Sequence, residues 1–230
     1  MMHRSKPLGV LFAIVLAAAV VLVAFLATHF VHLPKDGFFP SSLVTHSVFL
    51  LLSLALMTWF SKGRLAEFGF TFGSFRLSWG FFAWVVPPLI MGLMGAMAVR
   101  SGQKADAMGL GFTRLQVVVF IWLYSSICEE ILTRGLLQTL LEKACEADGA
   151  PRRWLNLPVV VSGLFFGAMH LVLVPRMGAM ALPIVAFTIY LGLVAAHYRQ
   201  KTASLAPAIL FHMLFNIAGS LPAWVAESLR

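Results

Sequence analysis

Glu129 and Glu130 stand side by side, with Arg134 one helical turn further on, inside a run from Leu115 to Leu141 that is otherwise almost wholly apolar. A charged side chain at a bilayer centre costs about 2.5–3.5 kcal/mol on insertion scales, so three in one run imply a task. Two later apolar runs carry His170, four residues after Phe166, and His212, four residues before Asn216. Carboxylate, imidazoles and carboxamide together suit acyl chemistry with water. Glu129, withdrawn from solvent, can take a proton from water, and His170 can hold that water or pass the proton to a leaving amine. His212 and Asn216 can donate to the developing oxyanion, at about 2.7–4 kcal/mol per donor. Glu130 and Arg134, four apart, share a helix face and can pair, which neutralises the second carboxylate. Glu129 points about 100° away from Glu130 and is free to face another neighbour.

Membrane-spanning helices must position these groups. The chain has 230 residues, 60% hydrophobic and 11% charged, with a mean hydropathy of +0.89. Soluble domains carry about 25% charge. The expected fold is all-α, a polytopic transmembrane bundle forming one domain over residues 1–230. Seven stretches approach the length of a span: Leu8–Phe30, Ser41–Phe60, Leu77–Val99, Leu115–Leu141, Leu157–Val174, Ala179–Tyr198 and Ser204–Ala218. Leu221–Leu229 extends the last or adds an eighth. The first run is longer than a signal h-region of about 7–15 residues, so it reads as a retained span. Phe68, Gly69 and Phe70, in the second connector, read as interfacial anchors.

The net charge of +8 comes mostly from short connectors, where Lys and Arg orient spans, and does not point to nucleic acid. Arg4, Lys6, Lys62, Arg64, Arg76, Lys143, Arg152, Arg153, Arg199 and Lys201 fall on one side; Lys35, Arg100, Lys104, Arg114, Arg176 and Arg230 fall on the other. This excess predicts a cytoplasmic N-terminus, and the expected location is a bacterial inner membrane. With helix ends near Glu142, Asn156 and Ala203, Glu129, His170 and Asn216 all lie about 20 Å deep, and His212 about 13 Å. Three helices thus bring polar groups into one slab.

Glu129-Glu130-x-x-x-Arg134, Phe166-x-x-x-His170 and His212-x-x-x-Asn216, in that order on separate spans, resemble the three motifs of the CAAX protease and bacteriocin-processing family. Ser204-Leu205-Ala206-Pro207-Ala208-Ile209, before His212, is similar to that family's last motif. The resemblance covers about 115–218. It implies an intramembrane endopeptidase of glutamic type acting on a membrane-anchored protein or peptide: a prenylated tail, a leader or a sorting helix. By it Glu129 is the general base, His170 positions water, and His212 with Asn216 binds the oxyanion.

Alternatives stand beside these expectations. Cys128 reads as a packed small residue, or as a thiol nucleophile of a sorting-signal enzyme like the myxosortase-like members. No cofactor is expected, although Glu129, His170 and His212 form a set that suits zinc. Phe166 reads as packing beneath the site. His3, His29, His32, His46 and His197 read as interfacial, and Met91, Met94 and Met97 as core or lipid-facing. Two other functions remain open: a proton-coupled transporter and a non-catalytic, immunity-type partner.

Overall fold

A computed structural model describes residues 6–34, 37–71, 78–102, 112–145 and 154–229. The basic residues Arg4, Lys35, Arg76, Lys104, Arg152, Arg153 and Arg230 of the orientation argument, with His3 and Leu77, lie outside them.

Among the described residues, six helices are long and apolar enough to cross a membrane: α1 (Lys6–Phe30), α2 (Ser42–Ser61), α3 (Trp79–Arg100), α4 (Arg114–Cys145), α6 (Ala181–Thr202) and α7 (Ala206–Ser228). A shorter apolar helix, α5 (Leu157–Leu173), lies between α4 and α6. The chain is an integral membrane helical bundle, with no strand among the described residues. The final helix runs on through Pro222 to Ser228, so Leu221–Leu229 extends α7 and adds no eighth span.

The fourth helix is the hub. It packs on α1 and α2 on one flank and on α5, α6 and α7 on another, while α3 leans mainly on α7. Its most apolar window is 44% buried, against 22% for α1 and α2 and 17% for α3. Ala13, Ala17, Val20 and Ala24 recur at helical spacing on α1 and join Phe49 and Met57 of α2 and Leu132, Leu136 and Leu137 of α4 in one apolar cluster.

Small residues set the closest approaches, as between membrane helices generally. A Cβ on Gly192 of α6 would lie 2.8 Å from the Cα and carbonyl oxygen of Gly163 on α5. Pro222 has no N–H for the Ala218 carbonyl one turn earlier, and Gly92 of α3 packs directly against that carbonyl.

Three expectations need correction. Phe68 is no interfacial anchor: it is fully buried in the α1–α2–α4 cluster, with Lys143 over its ring at 4.8 Å, while Phe70 alone is exposed. Arg199 does not sit among headgroups, being 4% exposed with its Nη2 donating to Thr139 Oγ1 at 3.1 Å. His46 is not interfacial, because its side chain turns into the bundle toward Glu129. Met94 and Met97 face outward, as lipid-facing residues do.

Candidate active site

α4 is not a uniform helix. Its backbone is α-helical over Ser126–Glu130 but π-helical over Val117–Ser125 and Ile131–Gln138. Wide turns free carbonyls from the ordinary pattern and recur at functional sites. The carbonyl of Ile121 accepts from Ser125 Oγ at 2.7 Å and from Asn216 Nδ2 at 3.2 Å. Both glutamates therefore sit on one short α-helical segment between two widened stretches.

Glu130 and Arg134 are both fully buried and form an ion pair at 3.2 Å. Arg134 has further partners: its Nη2 donates to the Gly192 carbonyl at 2.7 Å, its Nη1 to Thr133 Oγ1, and Phe166 offers its ring face at 4.8 Å. Because α6 approaches so closely at Gly192, a backbone carbonyl there can help to solvate the guanidinium. The other oxygen of Glu130 takes a hydrogen bond from His212 Nδ1 at 2.9 Å. Glu130 thus ties α4 to α7 as well as to Arg134.

Glu129 is 9% exposed and faces three elements. Its Oε1 lies 2.8 Å from His46 Nε2 on α2, and its Oε2 lies 3.8 Å from His212 Nε2 on α7. His170 of α5 is close enough to act on it electrostatically, without a direct hydrogen bond. His170 stands where α5 tightens into a 3-10 turn, and its Nδ1 donates to the Phe166 carbonyl at 3.0 Å. In the neutral ring that leaves the Nε2 lone pair for a water. The Phe166 ring packs against both imidazoles, His170 at 5.0 Å and His212 at 5.4 Å.

Asn216 is placed differently. Its amide nitrogen points at the Ile121 carbonyl and at Ser126 Oγ, both at 3.2 Å, so its donors link α7 to α4. Donation to an oxyanion would require the amide to leave these acceptors. Cys128 is fully buried in the apolar cluster shared with α1 and α2, so no substrate carbonyl reaches its thiol in this arrangement.

Among the described residues no three His, Cys, Asp or Glu side chains gather as a metal would require. Glu129, His170 and His212 do not form a ligand set as arranged: Glu129 Oε1 is bonded to His46, and Oε2 stands 3.8 Å from His212 Nε2.

His46 was missed because it lies near the start of its apolar run. Counted from the other end of α2, at Ser61, His46 is about 23 Å deep, in the slab that holds Glu129.

Residues 110–218 match the family model described as type II CAAX prenyl endopeptidase Rce1-like. No curated protein and no solved structure matches the chain.

Proposed function

We propose, from the match of residues 110–218 to the Rce1-like CAAX endopeptidase model, that this integral membrane protein hydrolyses a peptide bond near the membrane-anchored end of a substrate chain, with Glu129 as general base. One observation carries the proposal: a carboxylate beneath the apolar surface, gripped through Oε1 by His46 and facing His212 across 3.8 Å through Oε2.

In the proposed cycle a water held between Glu129 Oε2 and His170 Nε2 gives a proton to Glu129. Its oxygen bonds to the substrate carbonyl carbon, and the negative charge moves to the carbonyl oxygen. His212, when its Nε2 carries a proton, donates to that oxygen. The C–N bond then breaks, the amine leaves with the proton taken up by Glu129, and a carboxylic acid remains. Glu130 and Arg134 keep His212 aimed while balancing the second carboxylate. Asn216 holds α7 in register with α4.

The family description makes a prenylated C-terminal tail the first candidate substrate. A bacterial inner membrane with the N-terminus cytoplasmic belongs to the same proposal, supported by Lys6, Lys62, Arg64, Lys143 and Lys201 at the helix ends on that side.

The test compares membrane-protein termini by mass spectrometry in cells carrying wild-type protein or Glu129→Gln. At least one chain should keep an extended terminus in the variant, while the variant still inserts and folds. Identical termini in both strains end the proposal.

A further inference from the structure

His46 makes two contacts that together fix a proton. Its Nδ1 lies 2.7 Å from the Ser42 carbonyl, one turn earlier on α2. A carbonyl oxygen only accepts, so Nδ1 carries the hydrogen. In a neutral imidazole the other nitrogen then presents a bare lone pair. Yet Nε2 lies 2.8 Å from Glu129 Oε1, and an ionised carboxylate oxygen is likewise only an acceptor. Two lone pairs do not face each other at that distance.

We infer that His46 and Glu129 hold one proton between Nε2 and Oε1, and that His46 is a positioning residue for the general base. The pair is either imidazolium with carboxylate or imidazole with carboxylic acid, and the geometry needs the extra proton in both. The inference rests on the role proposed for Glu129 and adds α2 to the site, from outside the matched segment.

The surroundings favour a closed pair. On the α2 side, the Phe49 and Tyr124 rings flank His46 at 5.8 and 6.5 Å, and the Tyr124 hydroxyl is engaged by Ser47 at 2.8 Å. Cys128 lies beside Tyr124 and is fully buried. Arg134 makes its direct contacts with Glu130 and Gly192 and acts on Glu129 only through space. His212 and His170 act on Glu129 from α7 and α5. With Oε1 held by His46, Oε2 is the oxygen left for water. Fixing one oxygen aims the other, and misplacing a reacting group by about 1 Å can cost 100-fold in rate.

The experiment uses the full chain in lipid nanodiscs. Nitrogen NMR on histidine-labelled wild-type protein reads the ring protonation of His46, assigned by the signal lost in His46→Gln. Hydrogens on both ring nitrogens, or a hydrogen on Nδ1 with Nε2 accepting from Glu129, is the expected result. A neutral ring with its hydrogen on Nε2 alone overturns the inference. In parallel, His46→Gln and His46→Asn are assayed on a prenylated peptide with a CAAX end. Gln supplies a donor but cannot store a proton. Its kcat should fall at least about tenfold, with KM within about threefold and a pH–rate profile of altered shape. Wild-type kcat with an unaltered profile overturns the inference, as does a uniform loss at every pH. If wild type cleaves nothing that Glu129→Gln spares, the peptidase proposal fails, and the NMR result still decides the shared proton.

Discussion

Glu130 shows how a buried charge becomes tolerable in this bundle. It is fully buried, yet one oxygen faces Arg134 at 3.2 Å and the other accepts from His212 at 2.9 Å. Removing one partner of such a pair typically costs about 3–5 kcal/mol, because the remaining charge stays in the dark interior uncompensated. Arg134→Met should therefore destabilise the protein by about that amount and lower its melting temperature in detergent. An unchanged melting temperature would mean that water reaches Glu130. The spacing of four between these two residues made their pairing legible in the sequence. The spacing of His46 and Glu129, on different helices, offered no such signal.

At the scale of elements, α4 works because its periodicity changes twice. A uniform helix would let sequence spacing predict every facing residue, but the π-helical stretches on each side of Ser126–Glu130 shift those faces. The Ile121 carbonyl, on the first of these stretches, accepts from Asn216 Nδ2 on α7. The α5–α6 contact is equally demanding. Gly192→Leu would drive a side chain into Gly163 and displace the carbonyl that serves Arg134. Overpacking typically costs about 1–3 kcal/mol, and here the lost hydrogen bond adds to it. The variant should elute as a broadened or aggregated species in size-exclusion chromatography, with faster proteolysis between α5 and α6. A sharp wild-type profile would show that the two helices can separate without harm.

The whole molecule is also tied together outside its spans. Glu67, in the connector after α2, accepts from Lys143 at the end of α4 at 2.8 Å and from Arg64 at 2.6 Å. The Lys143 hydrogen bond, followed by that of Arg64, holds its carboxyl below the ordinary value of 4.5. A carboxylate lowered in the folded state contributes stability above its unfolded value and loses it as pH falls through the folded one. Wild type should thus melt slightly above Glu67→Gln near neutral pH, and the gap should close below the ordinary carboxylate range. A gap that persists in acid would trace to packing rather than charge. The sequence by itself determined the bundle and the positions of its apolar runs, although the fifth of the seven, Leu157–Val174, forms a helix shorter than the other six. Those follow from transfer of about 20 consecutive residues into lipid and from a constant rise along each helix, both local quantities. Tertiary structure alone decided which faces meet: His46 on Glu129 and Asn216 on Ile121. Rotation about a helix axis is set by widened turns and by glycine contacts with neighbouring helices, and neither is a property of one segment.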